Sequence, residues 1–101
     1  MKEYVHQRGS AMYRILERKA NSLGATKFGI SRKKDKKYFV VYNNKTVHYG
    51  SRINVDFSWD QDEDRRRRYR ARHSRILLKD GRPAYKVKGT AAYFSWWILW
   101  D

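Results

Sequence analysis

Seven arginines fall between positions 65 and 75: Arg65, Arg66, Arg67, Arg68, Arg70, Arg72 and Arg75. A second basic cluster, Arg32, Lys33, Lys34, Lys36 and Lys37, lies upstream. Closely spaced cations suit phosphate. A guanidinium is a planar fork that grips two oxygens, whereas a lysine acts as a point charge. Tyrosines among the cations can stack on unpaired bases. The nucleic-acid-binding set expected from these clusters is Arg32, Lys33, Lys34, Lys36, Lys37, Arg66, Arg67, Arg70 and Arg75. A solvated charged face is the plainer explanation. Like charges at this density repel one another in water, however, and that favours an anionic partner.

The same stretch has a catalytic reading. Asp62 can pair with Arg65 or Arg66 across one helical turn, and Tyr69 and His73 are four residues apart. His73 would be the base and Arg65 or Arg72 the electrostatic clamp. The preferred reading is a structural network of Asp62, Arg65, Tyr69, Arg72 and His73 that orients the helix. His6, His48 and His73 lack the spacing of metal motifs, and there is no cysteine. No phosphate-cradling glycine loop or nucleophile elbow occurs. The expectation is a protein without catalytic residues, metal or cofactor, and not an enzyme.

These residues need elements to hold them. From Asp60 to Leu78 acids come first, then arginines, then aliphatics, an order that suits the macrodipole of a helix. Ser58 or Asp60 is the expected N-cap, and Gly81 the residue that ends the helix. At about 100° per residue, Asp62, Arg65, Tyr69, Arg72, His73 and Ile76 share an inward face, and Arg67, Arg70 and Ser74 point out. Upstream, Ala11–Leu23 reads as an amphipathic helix with Met12, Ile15, Leu16, Ala20 and Leu23 as its stripe, Ser10 as cap and Gly24 as stop. Lys27–Ile30 reads as a short strand. Tyr38–Tyr42 and Lys45–Tyr49 form a hairpin around Asn43-Asn44, two residues that tolerate positive φ. In that register Tyr38, Val40, Val47 and Tyr49 make an apolar face, and Phe39, Val41, Thr46 and His48 a mixed one. Ile53, Val55 and Phe57 alternate with polar residues as a third strand. Ala84–Lys88 is a connector or short strand. The final segment, Ala91–Asp101, is apolar all round, with Thr90 as its cap, and reads as a buried or docked helix. Its Trp96, Trp97 and Trp100 read as core, with the alternative of a partner anchor.

Length and composition set the scale. A chain of 101 residues makes one modest core, so residues 1–101 are expected as one small basic domain. With 24 Lys and Arg against 10 Asp and Glu, the formal net charge is +14, which points to nucleic acid, an anionic membrane or an acidic protein. Hydrophobic residues at 41% and aromatics at 16% support burial rather than disorder. No apolar run is long enough to span a membrane, and the N-terminus lacks the apolar region of a signal peptide. The fold expected is α+β: a small three-stranded antiparallel sheet packed with the arginine-rich helix and flanking N- and C-terminal helices.

Several pieces recur together: Lys27-Phe28-Gly29-Ile30-Ser31, Lys36-Lys37-Tyr38, Lys45-Thr46-Val47-His48-Tyr49-Gly50, Asp62 with Arg65, Tyr69 and Arg72-His73, Pro83-Ala84-Tyr85, and Ala92-Tyr93-Phe94-Ser95-Trp96 with Leu99-Trp100. In this order they resemble a family of small basic uncharacterised proteins encoded by phages and large DNA viruses. The resemblance covers Lys27 to Trp100, leaving residues 1–26 as a helical extension of a family-like core at 27–101. Asn44 stands where that pattern leads one to expect Gly. The family supplies no activity. It implies a viral context, in the virion or the host-cell interior, and a structural or genome-associated role. The first functional expectation is therefore a virus-encoded protein that holds DNA or RNA through an arginine-rich helix. The rival is a minor capsid or cement protein whose basic face binds acidic coat proteins and whose Trp-rich end anchors it.

Overall fold

The fold comes from a computed structural model, which describes residues 2–101. Three strands, β1 (Lys27–Ile30), β2 (Lys36–Tyr42) and β3 (Lys45–Ser51), form an antiparallel sheet in the order β1-β2-β3. The β2–β3 loop is Asn43-Asn44 with φ of 49° and 62°, the left-handed pair that a two-residue hairpin needs. It sets Tyr38 opposite Tyr49 and Val40 opposite Val47. On the other side of β2, Phe28 pairs with Val40 and Ile30 with Tyr38.

Helices complete an α+β fold. Helix α1 (Ala11–Ser22) is capped by Ser10, whose hydroxyl accepts the Tyr13 N–H. It packs on β1 and on the C-terminal segment, burying Tyr13, Leu16 and Ala20; Ile15, expected in the stripe, is exposed. Helix α2 (Phe57–Asp60) is one turn, and α3 (Glu63–His73) is the arginine helix. A 3₁₀ turn at Ala84–Lys86 leads to α4 (Ala91–Phe94), capped by Thr90 and continued by a π-helical turn, Ser95–Leu99. Leu16, Tyr38, Val40, Phe94 and Ile98 are fully excluded from solvent and form the centre of the core. Among the described residues no helix is long and apolar enough to cross a membrane.

The third strand of the sheet is β1, and Ile53–Phe57 is not a strand. Gly50 has φ of +84°, and the Asn54 N–H donates to the Ser51 carbonyl at 3.1 Å, so the chain turns away after β3. Ile53 is left exposed, and Asp56 turns its carboxylate back to cap the Ser58 N–H at 2.8 Å, which starts α2. The arginine helix is also shorter than its pattern. Asp62 is its cap, accepting from the Asp64 and Arg65 N–H groups, and it ends at Ser74 rather than near Gly81. Ile76–Pro83 folds back on itself through a Leu77–Pro83 bridge.

Candidate nucleic-acid interface

Helix α3 meets the core through Tyr69. Its ring stacks on Trp100 at 4.1 Å and on His73 at 3.9 Å, and its hydroxyl lies 3.0 Å from the Ser95 hydroxyl. Tyr85 stacks on Trp96 at 3.9 Å. Trp96 and Trp100 are therefore part of this chain's own core and are not free to anchor a partner. Only Trp97 of the expected anchor is exposed.

The phase of α3 differs from the expected one, because aromatic rings draw two guanidinium groups inward. Arg66 lies 4.5 Å from the centroid of Phe57, and Arg70 lies 5.3 Å from Trp96. Arg70, expected to point out, donates to the Trp100 carbonyl at 3.0 Å and sits 3.6 Å from the Asp101 carboxylate. Arg65 and Arg72, expected inside, are exposed. Arg65 pairs with Asp60 at 2.8 Å rather than with Asp62, whose carboxylate is occupied by the helix N–H groups. Those N–H donors hold the Asp62 carboxyl below the usual range.

Ion pairs then sort the remaining arginines. Arg66 pairs with Glu63 and Arg67 with Asp64, each three residues apart. Arg68, Arg72 and Arg75 are exposed and have no carboxylate within 4.0 Å among the described residues. Four and then three residues apart, they lie along one side of the helix. The Arg75 N–H donates to the Arg72 carbonyl, so the helical path continues to Arg75. Arg68 was absent from the sequence-derived set, and spacing gave no signal for it: it stands four residues after Asp64, within pairing reach, and is unpaired because Asp64 is taken by Arg67.

Beside this row lies a cleft of about 520 Å³ between α3 and the ends of β2 and β3. Arg65, Arg72, His73 and Lys36 line it, and Tyr49 contributes a buried hydroxyl with no hydrogen-bond partner among the described residues. Burial and the neighbouring Arg72 hold His73 below its ordinary pKa, so it stays neutral near pH 7. Arg32, Lys33 and Lys34 are exposed in the β1–β2 connection, and Lys36 is half-buried.

Lys37 leaves the phosphate-binding set. It is buried and its ammonium forms a salt bridge with Asp56, which is also buried. The other oxygen of Asp56 accepts both the Ser58 N–H and the Ser58 hydroxyl. Nε2 of His6 lies 3.0 Å from that hydroxyl, the His6 N–H donates to the Tyr38 hydroxyl, and the His6 ring stacks on Trp59 at 4.2 Å. Since Ser58 gives its proton to Asp56, His6 Nε2 acts as the donor. A serine nucleophile needs the opposite order, with its proton passing to the imidazole. This network escaped the sequence reading because its members come from three distant segments. Among the described residues no three His, Asp or Glu side chains group as a metal site.

A family model described as "Family of unknown function (DUF5754)" matches residues 26–73, from the residue before β1 to the end of α3. No curated protein and no solved structure matches the chain.

Proposed function

We propose that this protein binds nucleic acid without catalysis, gripping phosphates with Arg68, Arg72 and Arg75 along α3. The carrying observation is that acids pair with Arg65, Arg66, Arg67 and Arg70 and leave those three in solvent. Lys36 at the cleft, with Arg32, Lys33 and Lys34 on the β1–β2 connection, extends the positive surface. Phosphate contacts of this kind position a polyanion without reading its sequence. Association with a viral genome, implied by the resemblance over Lys27 to Trp100, fits such a sequence-independent grip.

The test is affinity against salt concentration for duplex DNA, single-stranded DNA, RNA and heparin. Replacing Arg68, Arg72 and Arg75 by Ala should weaken binding similarly across sequences. Each phosphate interaction removed should lower the log–log salt slope by about 0.9 on duplex DNA, or about 0.7 on single strands. Arg70→Ala should lower stability and leave the slope unchanged. A folded triple variant with unchanged affinity and slope overturns the reading. Heparin bound in preference to every nucleic acid also overturns the reading, and leaves the basic face to an anionic partner of another class, as the rival reading has it.

A further inference from the structure

The sheet has one covered and one open face. Helices α1 and α4 and the π-helical turn pack on the face that carries Phe28, Tyr38, Val40 and Tyr49. The opposite face carries two cross-strand rows, Lys27–Val41–Thr46 and Gly29–Phe39–His48, and none of these six residues is buried.

The central row is built as an aromatic surface. The Phe39 ring lies over Gly29, where a Cβ would come within 2.6 Å of it, so the absence of a side chain at Gly29 lets the ring lie down on the strand. His48 is its neighbour, with ring centroids 6.0 Å apart. The imidazole is held from behind: the Ser31 hydroxyl lies 2.8 Å from Nδ1. That hydroxyl also accepts the Lys33 N–H, which ties the imidazole to the start of the β1–β2 connection. Cations surround the rings. Lys27 Nζ is 6.0 Å from the Phe39 centroid, and Arg8 and Arg32 border a depression of about 610 Å³ that Phe39 and His48 also line. Among the described residues no acidic side chain lines that depression.

We infer that this open face is a binding platform for single-stranded nucleic acid, with bases stacking on Phe39 and His48 and phosphates meeting Lys27, Arg8 and Arg32. Half-exposed rings with a cationic border and no acids are complementary to a chain that is aromatic and anionic at once. Bases paired in a duplex cannot present their faces to such rings, so the platform selects single strands. This inference rests on the nucleic-acid reading of α3 and adds the strand state of the ligand.

The experiment compares labelled oligothymidine with a duplex of the same length by fluorescence anisotropy, using the full chain. Phe39→Leu keeps apolar bulk and removes the stacking face. Affinity for the single strand should fall about 5- to 150-fold, with duplex affinity and salt slope unchanged. His48→Leu, which removes the second ring, should act in the same direction. Circular dichroism melts establish that each variant is folded. Single-strand affinity unchanged in both folded variants overturns the platform, as does an equal loss on duplex and single strand. If the Arg68, Arg72, Arg75 variant loses binding while the Phe39 and His48 variants keep it, the platform fails and the α3 reading stands. If the unaltered protein binds neither probe, both fail.

Discussion

Lys37→Met tests the buried ion pair. The two side chains are 1% and 3% exposed, and Asp56 takes its remaining hydrogen bonds from the Ser58 N–H and hydroxyl. Met replaces the lysine stem at similar volume but removes the ammonium, leaving a buried carboxylate with two donors and no countercharge. Removing one partner of a buried pair costs about 3–5 kcal/mol. A domain of this size has about 5–15 kcal/mol to lose. With a urea slope of about 1–3 kcal/mol/M, the unfolding midpoint should drop by at least about 1 M. Adding Asp56→Asn to Lys37→Met removes the second charge and keeps an oxygen for the Ser58 N–H. The double variant should therefore be more stable than the sum of the single effects, by about 0.5–3 kcal/mol. The salt slope of nucleic-acid affinity should not move, because Lys37 cannot reach a phosphate. A Lys37→Met protein with an unaltered midpoint and a shallower salt slope would refute the reasoning and return Lys37 to the binding surface.

Three further outcomes are expected. Gly50→Ala should destabilise, by about 1–2 kcal/mol for its φ of +84° and about 1–3 kcal/mol more for overlap with Leu99 Cδ1 at 2.9 Å and Lys37 Cβ at 3.1 Å; a urea titration at wild-type midpoint would contradict this. His6 and His73 have pKa values lowered from 6.5, mainly by burial, with Lys37 and Arg72 respectively adding to the shift and Asp56 opposing it at His6. The unfolded chain therefore binds more protons between the folded values and 6.5, so stability is full above that window and lost as pH falls through it. The melting temperature should drop between about pH 7 and about pH 5, and less so in the His6→Gln, His73→Gln variant; equal drops would remove these histidines as the cause. Ala71→Glu, on an exposed position, places a carboxylate three residues after Arg68 and four before Arg75. It should weaken nucleic-acid binding and lower the salt slope with all arginines intact, and unchanged binding in salt titrations would count against the Arg68–Arg72–Arg75 row.

The hairpin was legible in the sequence because Asn43-Asn44 permits a two-residue loop, and that loop length fixes the register of Tyr38 on Tyr49. The caps at Ser10 and Thr90 were legible because a hydroxyl before a helix satisfies nearby N–H groups. The alternation at Ile53, Val55 and Phe57 misled. Periodicity records which side chains would share a face if the chain were extended, and the turn held by Ser51 and Asn54 makes it bend. The phase of α3 misled for another reason. Counting arginine as simply polar ignores its long apolar stem and flat cationic face, which place Arg66 on Phe57 and Arg70 on Trp96. The Lys37–Asp56 pair was illegible because its partners are 19 positions apart, and a lysine inside a basic run looks like its neighbours.

The acids at the head of α3 do more than favour its positive end. Asp62 is consumed by capping, Asp60 holds Arg65, Glu63 holds Arg66 and Asp64 holds Arg67. Each of these acids is thus occupied, and Arg68, although four residues after Asp64 and within pairing reach, meets a carboxylate already held by Arg67. Arg70 turns inward to Trp100 and Asp101. The exposed cations that remain are Arg68 at the middle of the helix and Arg72 and Arg75 at its C-terminal end, where the macrodipole favours positive charge. The order of acids before arginines thus divides one uniform-looking run into paired arginines that stabilise the element and unpaired ones that give it a charged edge. Exposed pairs of this kind are each worth little to stability, about 0–1 kcal/mol. Their larger consequence is spatial, because they confine uncompensated positive charge to the side of α3 that borders the cleft at Arg72.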